Sequence, residues 1–322
     1  MNDSTRFTRR DAGAVRSTPR PEPVVAAPPI ATGAPPRRSW LLGVAVLVLV
    51  GVVWDLSLRV PCGPSAGTLD VKILASSVAP TEAAKFRLGT YNIHGGKGLD
   101  GERNLDRIAD VVRGLDFIGL NEVHGPALWE REDQATQLGR SLRLTPLYAP
   151  TEERWRHLRF GNGLLTRLDV EHWQVVPLER RYGKSFRNLV HVRVQAPNGV
   201  PVNVVLTHID RSDDRERREQ LRTAANYFLS LAEPAVLMGD LNSDASEREV
   251  QRLLDEPRVV DVMSQKYGFQ TPRHIDWVFV RGLEVVDAGL IDPGPSDHGH
   301  IWAEVKVPPQ VEAATPPVFD VK

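Results

Sequence analysis

Residues 236–244 read VLMGDLNSD, and the reading of this run decides the fold. Val236, Leu237 and Met238 form a continuous apolar stretch, as expected of a strand buried on both faces. After Gly239 come Asp240 and Asn242, two positions apart, which on a strand project from one face at its C-terminal end. Buried polar groups have to be partnered. A strand that ends in two of them marks a place where polar chemistry gathers.

The same device recurs along the chain. FRLGTYNI (86–93) carries Asn92 near its end, DFIGLNEV (116–123) carries Glu122, and VNVVLTHI (202–209) carries His208. Asp276 lies in HIDWVFV (274–280), and Asp297 and His298 form SDH just before HIWAEV (300–305). With GNGLLT (161–166), LVHVRV (189–194) and AVLMGDLN (235–242), these segments read as eight strands. Helical patterns fall at 102–114, 133–142 and 214–232, the last with Leu221, Ala224, Ala225, Phe228 and Ala232 on one stripe. Several strands follow one another without a helix, so a purely parallel doubly wound sheet is excluded and packed mixed sheets flanked by helices are expected.

The 322 residues, 41% hydrophobic with a net charge of −1, have ordinary globular composition and no broad basic footprint. The single cysteine, Cys62, excludes an intramolecular disulfide framework and a Cys-rich zinc site. Residues 40–54, WLLGVAVLVLVGVVW, are uncharged and nearly all apolar; counted through Leu58 they approach the roughly 20 residues that cross a bilayer. Arginines dominate the preceding charges, so the N-terminus is expected in the cytoplasm and the rest outside it, periplasmic or extracellular. An uncleaved anchor is favoured over a cleaved signal, because no A-x-A site follows the run, and over a buried core helix.

The expected organisation is a disordered tail at 1–39, a transmembrane helix at 40–58, a linker at 59–85 in which VKILASS is a candidate strand, one catalytic domain at 86–306, and a loose tail at 307–322.

Carboxylates and carboxamides without cysteine suit a hard, oxygen-seeking cation such as Mg2+ or Mn2+. Histidines beside carboxylates suit proton transfer near neutral pH. Phosphoryl chemistry needs this combination. A serine hydrolase is excluded by the lack of G-x-S-x-G, and HGGKGLDG does not match a nucleotide-triphosphate loop.

In order along the chain, TYNIHGG, LNEV, GNGLLTR, LTHID, MGDLNS, HIDWVFV and SDHGH resemble the endonuclease/exonuclease/phosphatase family. The resemblance implies an α/β (α+β) four-layered sandwich, two mixed sheets face to face with helices outside, and metal-dependent hydrolysis of a phosphate ester. It makes Glu122 the main metal carboxylate with Asn92 beside it and Asp297 as a second ligand. It makes Asp276 and His298 a dyad, Asp240 the residue that aligns water or handles the leaving-group proton, and Asn242 a holder of a phosphate oxygen. His208 contacts phosphate or serves as the acid, and Asn162 approaches the site. In the basic stretches RWRHLRF (154–160) and ERRYGKSFR (179–187), Arg187 and Arg156 are candidates for substrate phosphate. Asp213, Arg217 and Gln220 are expected to fix the 214–232 helix to the preceding loop.

The expected function is an anchored phosphodiesterase acting on nucleic acid or a phospholipid headgroup, with no obligate protein partner. A tethered, non-catalytic binding module of the same fold is the alternative.

Overall fold

The computed structural model describes residues 37–71, 83–126, 131–154, 157–268, 274–292 and 294–309. The N-terminal tail, VKILASS beyond Val71, Arg156 and the C-terminal tail past residue 309 lie outside the described residues. The chain divides into two compact units at Gly51/Val52.

The first described element is helix α1 (Arg37–Ser57). Over residues 40–55 its side chains are apolar, but for Asp55, and exposed all round. Among the described residues no helix is long and apolar enough to cross a membrane. The described side chains of α1, at residues 40–55, stop short of the roughly 20 residues a bilayer demands, so the described residues do not show the expected membrane-spanning helix.

The second unit opens with β1 (Val60–Pro61) and β2 (Ser65–Gly67), followed by β3 (Ala84–Asn92), α2 (Leu105–Val112), β4 (Phe117–His124) and α3 (Gln134–Leu142). Four strands come next: β5 (Thr145–Arg154), β6 (His157–Thr166), β7 (Asp169–Leu178) and β8 (Arg187–Gln195). Then follow β9 (Pro201–His208), α4 (Asp214–Ser230), β10 (Ala235–Asp240), α5 (Arg248–Asp255), β11 (Val260–Asp261) and α6 (Val262–Tyr267). The last strands are β12 (Asp276–Arg281), β13 (Glu284–Ile291) and β14 (His300–Val307).

The described strands form two seven-stranded sheets, in the orders β1-β5-β6-β4-β3-β14-β13 and β11-β12-β10-β9-β8-β7-β2. Residues expected to be a plain linker thus supply β1 and β2, which pair with β5 and β7 at one edge of each sheet. At two and three residues they are too short to carry a readable period.

One apolar cluster fills the space between the sheets, with Phe86, Leu88, Phe117 and Val305 meeting Val190, Val204, Met238 and Val278. A second packs Leu221, Ala224, Ala225 and Phe228 of α4 on Leu237 and Phe279. A third packs Ile108 and Val112 of α2 and Leu138 of α3 on Ile118 and Leu120. Helices, sheet, sheet, helices: the expected four-layered sandwich of two mixed sheets is observed.

Two pairs of strands are parallel, β3 with β4 and β9 with β10, and each is joined through a helix, as a parallel pair requires. Within each pair the two C-terminal ends therefore point the same way. Asn104 caps α2 through Asp106 and Arg107 N–H, and Asp213 caps α4 through Arg215 and Glu216 N–H.

Candidate active site

Register in the second sheet explains why the polar strand ends meet. Asp240 of β10 lies opposite His208 of β9 on one side and Asp276 of β12 on the other, so three polar side chains share one row across three strands. Gly239, just before them, is at φ +134°, and a Cβ there would stand 1.9 Å from the Thr207 carbonyl oxygen. The approach of β9 to β10 that sets this row depends on that glycine.

In the first sheet Asn92 of β3 is opposite Asn121 of β4, and a bulge between Leu120 and Val123 turns the β4 end. Glu122 sits in that bulge at φ +57°. The two sheets then join through Asn92, whose Nδ2 donates to Asp240 Oδ2 at 3.0 Å and to Glu122 Oε1 at 3.3 Å, with His298 Nε2 at 3.4 Å. The SDH loop is clipped to β3 by Ser296 Oγ donating to the Asn92 carbonyl at 2.7 Å.

His298 and Asp276 form the expected dyad, Nδ1 to Oδ2 at 2.7 Å. Burial works against the His298 charge, but the Asp276 hydrogen bond and the charges of Asp276, Asp240 and Asp297 outweigh it and lift the imidazole to about 9. Its Nε2 faces Asp240 Oδ2 at 3.7 Å. Asp240 is nearly inaccessible; burial, helped by the Asp276 charge, raises its carboxyl to about 7. That value suits a group that accepts a proton near neutrality.

His208 behaves differently. Burial, reinforced by the Arg187 charge, holds it well below the ordinary histidine value, so it is neutral. Arg187 Nη1 lies 3.2 Å from His208 Nδ1. A guanidinium only donates, so Nδ1 is the acceptor and the ring proton sits on Nε2, facing Asp240 Oδ2 at 3.4 Å. Arg187 is itself buried, lies over the Phe160 ring at 5.6 Å, and forms no ion pair among the described residues. Its Nε has no partner. A buried guanidinium with no ion pair among the described residues and an unpartnered Nε can receive an anion.

Asn162 is not aimed at open space. Its Oδ1 accepts from Asn121 Nδ2 at 2.7 Å, and its Nδ2 donates to Asn188 Oδ1 at 2.8 Å. Asn121 Nδ2 also reaches the Thr207 carbonyl at 3.0 Å, while its Oδ1 accepts from the Asp240 main-chain N–H at 2.9 Å. This ladder of buried carboxamides crosses from one sheet to the other and fixes the Asp240 backbone. Asn121 and Asn188 are not among the residues the sequence motifs single out, although each is a carboxamide inside an apolar strand. Asn242, at φ +46°, likewise serves Asp240: its N–H donates to Asp240 Oδ1 at 2.8 Å, and its Nδ2 donates to the Ile209 carbonyl at 2.9 Å. Asp297 is half-exposed and lies 3.4 Å from His94 Nδ1. Asp213 and Gln220 hold α4 as expected, Gln220 through the Asp210 N–H and the Glu179 carbonyl.

The donor set fits a divalent cation. Asp240, Asp276 and His298 offer ligand atoms all within 4.8 Å of one another. The Asp276–His298 hydrogen bond occupies only Nδ1 and Oδ2, so His298 Nε2 and the unpartnered Asp276 Oδ1 remain as donors with the dyad intact. Glu122 shares the Asn92 amide with Asp240 and forms no ion pair among the described residues, so a hard cation would meet oxygen donors there.

The profile of the Endonuclease/Exonuclease/phosphatase family matches residues 89–298. No curated protein matches the chain. Among solved structures, an endonuclease/exonuclease/phosphatase from Beutenbergia cavernae is similar over 70% of this chain and 72% of its own, with 26% identity and a TM-score of 0.56. The mannosyl-6-phosphatase Bt3783 of Bacteroides thetaiotaomicron is similar in fold, at 16% identity over 68% of this chain and 99% of its own, TM-score 0.56. The human Nocturnin catalytic domain, with bound sulfate, is similar over 71% of this chain and 99% of its own, at 16% identity and TM-score 0.54. The chain belongs to the endonuclease/exonuclease/phosphatase family of hydrolytic phosphoesterases.

Proposed function

We propose that the chain is a membrane-anchored, divalent-metal-dependent phosphoesterase that hydrolyses a phosphodiester, of nucleic acid or of a phospholipid headgroup, by in-line attack of water. One observation carries this reading: the buried Asp240 carboxyl stands between His298, which is paired to Asp276, and His208, and it shares the Asn92 amide with Glu122.

Glu122 and Asn92, with Asp297 nearby, are the residues to hold Mg2+ or Mn2+, which when bound neutralises phosphate charge. Asp240 orients the attacking water and takes its proton. His298 enters as imidazolium and holds a non-bridging phosphate oxygen, its charge maintained by Asp276. In-line displacement puts the nucleophile and leaving group on opposite sides of phosphorus. His298 Nε2 lies on the Asp240 side, so it stabilises charge, and the leaving oxygen takes its proton from a solvent water rather than from His298. Arg187 adds a second cation, and neutral His208 donates toward Asp240 from Nε2.

The anchor rests on the apolar run at 40–54, flanked by Trp40 and Trp54, and the arginines before it. Extraction of cell membranes with alkaline carbonate would release the protein if α1 does not span.

The catalytic reading is tested with the full chain, Mg2+ and bis-p-nitrophenyl phosphate. Asp240→Ala and His298→Ala should each lower kcat by at least about 100-fold. Equal rates for all three proteins would refute it. Plasmid DNA and sphingomyelin, offered in parallel, separate the two substrate classes.

A further inference from the structure

Beside the reacting groups lies a second concavity that the chemistry above does not use. It measures about 700 Å³ and is lined by Gly95, Arg103, His124, Gln134 and Arg159, among others. It opens at the same strand ends as the catalytic residues: Gly95 follows His94, whose N–H donates to Asn92 Oδ1 at 3.1 Å, and His124 is two residues past Glu122.

The floor is fixed rather than loose. Gly95, at φ +59°, lies flat against the His124 ring, where a Cβ would come within 2.6 Å of Cε1. Buried Gln134 ties the wall together, its Nε2 donating to the Gly95 carbonyl at 2.8 Å and its Oε1 accepting the His124 N–H at 3.0 Å. The Gly125 N–H donates to the Arg159 carbonyl at 3.1 Å, joining β4 to the basic stretch at 154–160.

The charge of the cavity is what calls for a ligand. Many arginines on the described surface are matched to acids, as Arg107 is to Asp100 and Arg193 to Glu171. Arg103 and Arg159 form no ion pair among the described residues. Arg103 instead places Nη1 3.3 Å from His124 Nδ1, which makes the ring nitrogen the acceptor and leaves the other guanidinium N–H groups for a further partner. Asp106, in the first turn of α2, is the one acid among the lining residues, so two cations face one anion. Two arginine forks over a polar floor match the geometry and charge of a phosphate.

We propose that this cavity binds a second phosphate of the substrate, one that is not cut. The inference rests on the phosphoesterase reading and narrows its substrate to one carrying at least two phosphates. The polar lining and the volume favour the neighbouring phosphate of a nucleic-acid strand over a lipid chain, which would need an apolar wall.

The test compares the p-nitrophenyl ester of thymidine 5′-phosphate with and without a 3′-phosphate, using the full chain with Mg2+. The wild type should prefer the two-phosphate ester in kcat/KM. In Arg103→Gln and Arg159→Gln the ratio of kcat/KM between the two esters should fall about tenfold, the scale of one charged hydrogen bond, chiefly through KM. Arg159→Lys should recover part of that ratio. A parallel pair, phosphatidylinositol and its 4-phosphate in mixed micelles, reports on the lipid source; a preference confined to this pair would overturn the assignment to nucleic acid. A wild-type ratio near one, or variants that lower both esters equally, would overturn the subsite while leaving the phosphoesterase intact. Failure of the wild type to cleave any of the four substrates would instead overturn the phosphoesterase reading on which it depends.

Discussion

Replacing Asp276 by asparagine keeps the shape of the side chain and removes its charge, which isolates what that charge does. In the wild type Asp276 holds His298 as an imidazolium up to about 9, against burial that pulls the other way. Without it, His298 should return at least to the ordinary value of 6.5. A change of that size corresponds to roughly 3 kcal/mol of stabilisation of the charged ring. At pH 8 the wild-type ring is about nine-tenths protonated, and the variant ring about one-thirtieth. If the imidazolium holds phosphate, kcat/KM at pH 8 should fall on the order of 30-fold through this cause alone, and the deficit should shrink as the pH is lowered toward 6. Asp240 responds in the same sense, because the Asp276 charge is one of the causes that raise it. Its carboxyl then ionises at lower pH, so the acid limb of the profile also moves down. Both limbs shift toward acid, and the optimum moves with them. The assay is the pH dependence of bis-p-nitrophenyl phosphate hydrolysis at saturating Mg2+, supported by NMR titration of the histidine ring protons. An alkaline limb that stays near pH 9, or moves upward, would refute the assignment of His298 as the charged phosphate holder.

Three further outcomes follow from named contacts. Glu122→Gln keeps the hydrogen bond to Asn92 but loses the charge, so the Mg2+ concentration for half-maximal rate should rise at least about tenfold, read by metal titration after chelation. Asn121→Ala leaves the Asp240 N–H and Asn162 Oδ1 without their partner in the core; it should cost about 2–3 kcal/mol in urea denaturation and lower kcat more than it raises KM. Gly239→Ala puts a methyl into the Thr207 carbonyl and should abolish soluble expression or lower Tm by more than about 10 °C.

Much of the fold could be read because its central strands are nearly all apolar and its main helices have a clear stripe. The expected strands fall on β3, β4, β6, β8, β9, β10, β12 and β14, and the expected helices on α2, α3 and α4. The remaining strands lack that signal. β5 carries Pro146 and Pro150, β7 mixes Glu171, His172 and Gln174 among its apolar residues, and β13 places Glu284 and Asp287 among its valines. β5 pairs with its neighbours in a bulged register, and β13 lies at a sheet edge, where water satisfies the outer face and the pattern relaxes. The short helix α5 is hard to read for a like reason: over eight positions it has only three apolar residues, Val250, Leu253 and Leu254.

The reacting residues were legible because each is a polar group ending an apolar strand, but their mutual orientation was not, since it depends on backbone conformations that residue type scarcely encodes. Among the described residues four non-glycine positions have positive φ, and three of them, His94 at +47°, Glu122 at +57° and Asn242 at +46°, lie at the site. Asparagine tolerates this region, whereas a left-handed glutamate costs on the order of 1–3 kcal/mol. The surroundings offset that cost with specific bonds: His94 N–H to Asn92 Oδ1, Asn242 N–H to Asp240 Oδ1, and the Asn92 amide on Glu122. Asp240 and Asn242 were expected to face substrate side by side from one strand. The turn at Asn242 instead bends the chain back, so that Asn242 secures Asp240 and Asp240 alone meets the imidazoles. The polar pair after Gly239 is therefore a carboxyl and its brace, and rotating the brace out of its left-handed turn would move the carboxyl before it changed any charge.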